Sequence, residues 1–160
     1  MSDIVPQHNV GALLRSAIAS AFVSATAGGT GDNTAVTGLT VDRIDPNTGS
    51  LAGSVRFSVA WQAVLAAAAT LTLKTVKIEQ SSDNSTWDST AYITFTDPGV
   101  VATGPGGGGT VRGVTAFDAD LSSAKRYVRI DFTPDLSAAN TDTASLSATA
   151  TLAGSDRLPA

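Results

Sequence analysis

The run Lys125-Arg126-Tyr127-Val128-Arg129-Ile130-Asp131-Phe132 sets the terms for the chain. Val128, Ile130 and Phe132 alternate with Tyr127, Arg129 and Asp131, the period-two pattern of a strand with one face on a core and the other in water. Asp118, Asp120, Ser122 and Ser123 supply turn chemistry before it, and Pro134 closes it. Val76 to Trp87 offers a partner strand running into a polar turn.

A chain of 160 residues suffices for one domain that buries about 70% of its unfolded surface. Its apolar share of 42% is carried by Ala and Val interleaved with Thr and Ser, while aromatic residues make only 6%, which suits a thin sheet sandwich better than a helical bundle. Ten Lys and Arg residues, dispersed within a net charge of −4, exclude a nucleic-acid partner, since phosphate binding needs clustered cations. The absence of cysteine removes disulfides and thiolate metal sites. No run approaches the roughly 20 apolar residues of a membrane span, so no membrane partner is expected. Ala25-Thr26-Ala27 has the small-residue spacing of a signal-peptidase site. The reading is rejected because Asp3 and Pro6 precede it with only Arg15 as a fixed positive charge, and Ser20 and Ser24 interrupt the apolar stretch.

Val10, Leu13, Leu14, Ala17, Ile18 and Ala21 fall at helical spacing after Asn9, a capping residue, although Gly11 weakens a helix. Residues 1–19 are therefore a short helix or an extended arm docking on a partner subunit. Strand signals follow at Ala21 to Ala27 and Thr34 to Ile44, then a turn at Asp45-Pro46-Asn47-Thr48-Gly49. From Ser54 to Ala63, Val55, Phe57, Val59 and Trp61 alternate with Arg56, Ser58, Ala60 and Gln62, and Trp61 reads as core. Ala66 to Ala69 is a wide connection or one helical turn. In Thr70 to Ile78 the apolar positions slip from odd (Leu71, Leu73) to even (Val76, Ile78), and a β-bulge at Lys74-Thr75 would return both pairs to one face. Ala91 to Phe95 reads as a strand, Gly104 to Gly109 as a mobile loop tip, Val111 to Phe117 as a short strand and Leu136 to Asp142 as a polar loop. The last strand, Thr143 to Leu152, sets Ala144, Leu146, Ala148, Ala150 and Leu152 against Ser145, Ser147, Thr149 and Thr151.

Seven to nine short strands without interleaved helices predict an all-β fold, an antiparallel β-sandwich or jelly roll with an N-terminal arm or short helix. The domain spans residues 20–154 and a tail covers 155–160.

Motifs for chemistry are sparse. The glycine run lacks the following Lys-Ser or Lys-Thr of a phosphate loop. His8 is the only histidine, which nearly excludes a Ser-His-Asp relay or a multi-histidine metal site. Asp118 and Asp120 would share one face of a strand, as a glycosidase pair or calcium ligands require, but solvated turn acids are the plainer reading. Asp83, Asn84 and Asp88 could hold calcium in a loop, yet lack the Asp-x-Asp-x-Asx-Gly spacing. No catalytic, cofactor or metal residues are assigned.

Three stretches carry a resemblance: Val76-Lys77-Ile78-Glu79-Gln80-Ser81-Ser82-Asp83-Asn84-Ser85-Thr86-Trp87, Lys125-Arg126-Tyr127-Val128-Arg129-Ile130, and Ala148 to Pro159. Together they resemble a family of small tailed-phage virion proteins over roughly the C-terminal two thirds. The resemblance implies a non-enzymatic decoration or cement protein on the capsid surface of a virion, a homotrimer whose partner is the major capsid protein. The Ser-rich hairpin ending in Trp87 and the Arg-Tyr-Val-Arg strand are also similar to discoidin-like sugar-binding sandwiches, in which the Trp packs under the sheet. That likeness implies the alternative of a glycan-binding module on a virion or cell surface.

Overall fold

The computed structural model describes residues 10–137 and 141–155. A single 3₁₀ turn, Val10–Leu13, leads into β1 (Arg15–Ile18), β2 (Val23–Thr26), β3 (Val36–Thr37), β4 (Val41–Asp42), β5 (Ala52–Leu65), β6 (Thr70–Ser81), β7 (Ile93–Thr94), β8 (Gly99–Thr103), β9 (Gly109–Asp120), β10 (Tyr127–Leu136) and β11 (Thr143–Ser155). Two antiparallel sheets result. The first, sheet A, has the order β1-β11-β5-β9, with β2 also on β11, and the second, sheet B, has β3-β10-β6-β7, with β4 on β10 and β8 on β6. The all-β sandwich is the fold that the alternating pattern predicts.

The core lies between the sheets. From sheet A come Phe57, Val59, Ala144, Leu146, Ala148 and Ala150, and from sheet B come Leu71, Leu73, Val76, Ile78, Val128, Ile130 and Phe132. Small side chains on β11 thus face larger ones on β6 and β10. Thr75 adopts φ 49°, and the β6/β10 register steps by one between the Asp131–Lys77 and Thr133–Lys74 pairs. That bulge keeps Leu71, Leu73, Val76 and Ile78 all inward, as the slipped periodicity requires.

Several boundaries differ from the sequence reading. Residues 15–18, read as arm or helix, form β1, paired with Thr149 to Leu152 of β11. Four residues are too few for a periodic signal, and their strand state comes from a neighbour more than a hundred residues away. The stretch 34–44 is broken into β3 and β4, and the strand read at 91–95 shrinks to Ile93–Thr94. The glycine run is anchored at its start, where Gly104 is buried, its N–H donates to the Ala69 carbonyl (2.8 Å) and a Cβ would lie 1.9 Å from the Ala66 oxygen, while Pro105, Gly106 and Gly107 form an exposed tip. β9 starts within that run, at Gly109, and extends through Asp118 and Asp120, which are therefore strand residues. Ala66 to Ala69 makes one tight turn, with Ala68 at φ 61° and Ala69 N–H on the Ala66 carbonyl.

β1 and β2 run along the same edge of β11, divided by a bulge. Both Ala19 and Ser20 donate N–H groups to the Ala148 carbonyl (2.8 and 3.1 Å), and the Ser20 hydroxyl accepts the Ala148 N–H (2.7 Å) while donating to the Ala21 carbonyl. A side chain fills a rung of the ladder. Ser20→Ala should therefore leave the buried Ala148 N–H unmet and lower stability by about 1–3 kcal/mol. The check is a urea titration, in which the midpoint falls with the slope unchanged.

Candidate interaction surfaces

The carboxylates singled out in the sequence are each held by the fold. Asp118 accepts a two-pronged contact from Arg56 across the β5/β9 pair (2.6 and 2.8 Å), and that guanidinium lowers its pKa. Asp120 accepts the Ser122 N–H and is also lowered by it. Asp83 closes its own turn, taking the N–H groups of Thr86 (2.7 Å) and Ser85 (2.9 Å) and the Ser81 hydroxyl, which together hold its carboxyl far below the usual range. Asn84, at φ 63°, accepts the Thr40 hydroxyl, and Asp88 pairs with Lys125 (2.5 Å) and Gln80. These three do not converge, and no group of three or more potential metal ligands occurs among the described residues. His8 lies outside the described residues. Trp61 packs against the core over Gly113, where a Cβ would come 2.3 Å from its ring, and its Nε1 donates to Thr115.

The outer face of sheet B carries a charged network that sequence reasoning missed. Cross-strand register sets Arg129 opposite Glu79 and Asp131 opposite Lys77. Arg129 donates twice to Glu79 (2.9 and 2.6 Å), Lys77 lies 2.5 Å from Glu79 and 3.6 Å from Asp131, and Asp131 lies 3.9 Å from Arg129. Signs alternate both along and across the strands. Trp87 lies over one corner of this checkerboard from outside, the Arg129 guanidinium carbon 4.0 Å from its ring centroid. It does not pack under the sheet, as the discoidin-like resemblance would have it. The signal was present in Lys77-x-Glu79 and Arg129-x-Asp131, two charged pairs that only a strand register brings together.

Burial acts differently on the two acids. Around Glu79, hydrogen bonds from Lys77 and Arg129 outweigh desolvation, and the pKa is lowered. Asp131 is 8% exposed, and its desolvation dominates over the N–H that Gly38 donates, so its pKa is raised.

The outer face of sheet A is the opposite in character. Its cross-strand rows read Ile18–Thr149–Ser58–Ala116, then Ser147–Ala60–Val114, then Ser24–Ser145–Gln62–Arg112, then Thr26–Thr143–Val64–Thr110. Apart from Arg112, charge is confined to one end, where Arg56 meets Asp118 and Asp120 follows. A groove of about 570 Å³ opens there between Leu14, Val55, Ala119 and Ala153. Val64 and Val114 are exposed on this face, Ile18 projects from its rim, and Phe22, 87% exposed, lies in the bulged edge between β1 and β2. A separate polar cleft of about 410 Å³ is lined by Gln80, Asp88, Ser89, Thr90, Ala91 and Tyr92.

No family model matches the chain, and no curated protein matches it in sequence. Among solved structures, the PBSX exported protein XepA is similar at 17% identity and a TM-score of 0.44, over 91% of this chain and 39% of that one. The structure of infectious bursal disease virus Gx strain is similar at 14% identity and a TM-score of 0.48, over 90% of this chain and 33% of that one. The chain spans less than half the length of either. These are likenesses of coarse shape and carry no functional weight.

The opposed shifts of Asp83 and Asp131 give opposite pH dependences. A lowered folded pKa contributes stability that is present above the ordinary 3.8 and lost as pH falls, so Asp83→Ala should cost most near neutral pH and least in acid. A raised folded pKa makes the folded state hold its proton longer, so Asp131 withdraws stability as pH rises from 3.8 through its folded pKa. Melting temperatures of wild type, Asp83→Ala and Asp131→Asn across acidic pH check both signs: the deficit of the first shrinks on acidification, and the second gains on wild type as pH rises.

Proposed function

We propose that the chain is a non-enzymatic virion structural protein that decorates the capsid exterior and bridges subunits of the major capsid protein. The observation that carries this reading is the outer face of sheet A, a broad face of Ser, Thr, Ala and Val with little charge. Such side chains lose little rotamer entropy on burial and have no ionic solvation shell to shed, so this face suits close contact with another protein surface. Support also comes from the resemblance of Val76 to Trp87, Lys125 to Ile130 and Ala148 to Pro159 to small tailed-phage virion proteins. Decoration would stabilise by mass action, because a ligand that binds only assembled neighbours adds about 2.7 kcal/mol per site at a hundredfold excess over its Kd.

The glycan-binding alternative has one feature in its favour, the polar cleft that ends at Tyr92. Shell mechanics separate the two. Particles lacking the protein should assemble but rupture at lower temperature, and adding the wild-type chain should restore resistance. Ala60→Lys, a charge in the middle of the sheet A face, should melt like wild type yet fail to restore it. Shell strength indifferent to the protein, together with retention on a glycan array, would sink the capsid reading.

A further inference from the structure

The free edge of sheet A singles out one strand. β9 is the last strand of that sheet, and all twelve of its residues stay in unbroken register with β5, from Gly109 opposite Leu65 to Asp120 opposite Ser54. It contains no proline and no bulge. Among the described residues, no strand pairs with its far side, and only its last carbonyl, at Asp120, takes a side-chain donor, the Tyr92 hydroxyl. A long regular edge is a template for pairing with another chain, and proteins normally blunt it. The other edges here are blunted: the β1/β2 edge by the Ser20 bulge, the β3/β4 edge by its two-residue pieces, and the β7/β8 edge by its short pieces with Pro98 between them.

We infer that β9 is a self-pairing edge, joining two copies of this chain antiparallel about a twofold axis at Thr115. The charge pattern selects the occupant, and charge together with the length of the pairing selects the register. With Thr115 opposite itself, Arg112 of each copy faces Asp118 of the other, and Val114 faces Ala116 between them. Each Asp118 then lies between its own Arg56, already bonded to it, and Arg112 of the second copy. Arg112 now donates only to the neutral Gln62 (2.6 Å), so among the described side chains it is a cation without a carboxylate. Sliding by two residues one way sets Asp118 against Thr110 and leaves no Arg–Asp cross-pair; sliding the other way sets Arg112 against Asp120 but shortens the pairing from eleven opposed positions to nine and leaves Asp118 facing Val114. The pairing covers Val114, which is 64% exposed in the single chain, and adds about ten backbone hydrogen bonds over eleven opposed positions. An isologous contact of this kind closes on itself. The inference does not depend on the capsid reading and replaces the threefold copy number that the resemblance implies.

Sedimentation equilibrium at micromolar concentration tests it, and wild type should be a dimer. Arg112→Asp and Asp118→Arg should each weaken dimerisation about tenfold, because each turns two attractions into two repulsions, while the double variant, with complementarity reversed, should recover it. Because the chain has no native cysteine, Thr115→Cys, on the twofold axis at the edge and turned toward Trp61, should form a covalent dimer on oxidation, and Ala60→Cys, one strand in and on the outer face, should not. Melting curves confirm that each variant is folded. A wild type that stays monomeric or is trimeric, single reversals that dimerise as tightly as wild type, or preferential cross-linking through Ala60→Cys would each overturn the inference.

Discussion

The guanidinium of Arg43 fixes one end of the sandwich. It is 1% exposed and has no carboxylate bonded to it; its donors meet the carbonyls of Ala52, Ala124 and Lys125. Burial lowers its pKa, so the folded protein bears a strain on the charged form that only complete hydrogen bonding offsets. Those carbonyls belong to the start of β5 and to the β9–β10 connection, and the Arg43 backbone bonds the same two segments through Ala52 N–H and the Arg126 carbonyl. Two loops distant in sequence are thereby confined to one mutual arrangement. The start of β5 and the entry to β10 are held together there.

The same device recurs at the seams. A sandwich whose β11 face is mostly alanine offers less apolar area per residue than one built on larger side chains, and this chain has no disulfide to compensate. Polar side chains addressed to backbone groups close the edges instead. Arg15 donates to the Asp42 carbonyl (2.5 Å), tying β1 to β4, and Asp32 accepts both the Gly28 and Leu136 N–H groups, tying the β2–β3 loop to the end of β10. On the opposite side, the Phe95 and Phe117 rings meet tilted, their centroids 5.2 Å apart, and the Tyr92 hydroxyl donates to the Asp120 carbonyl. Specificity of loop placement therefore rests on a few hydrogen bonds with buried or half-buried ends.

What the sequence made legible divides along the same line. β5, β10 and β11 could be read because local alternation coincides with burial, and even the bulge at Thr75 announced itself as a slip of parity. Arg43 could not be read, because in Val41-Asp42-Arg43-Ile44 an arginine has the look of a solvent-facing strand residue until three carbonyls from elsewhere surround it. β1 was hidden, and β9 was read only as Val111 to Phe117 without its ends, for a related reason: β1 and the outer residues of β9 are held as strand by β11 and β5, not by their own side chains. The candidate surfaces were half visible. The neutral odd positions of β11 stand in the sequence, but their continuation across β5 and β9 depends on register.

Edge geometry bears on which symmetry the chain can adopt. A threefold ring made by strand pairing is heterologous, and each copy must offer two different edges, one to each neighbour. β9 supplies one. The other candidate on sheet A is β1 with β2, but at the bulge the Ser20 N–H turns inward to Ala148, the Ala19 carbonyl is taken by the Leu39 N–H (2.8 Å), and Phe22 stands out from the edge. An incoming strand would meet a gap and an aromatic side chain midway. Head-to-tail pairing of β9 on β1/β2 is thus opposed by the fold, and with it any open filament that such pairing would propagate. Self-pairing of β9 uses the one straight edge twice and leaves the bulged edge at the outside, so the two neutral faces of sheet A become parts of one continuous sheet. Under the proposed decoration role that doubling links two patches, which together have an effective concentration that one patch lacks.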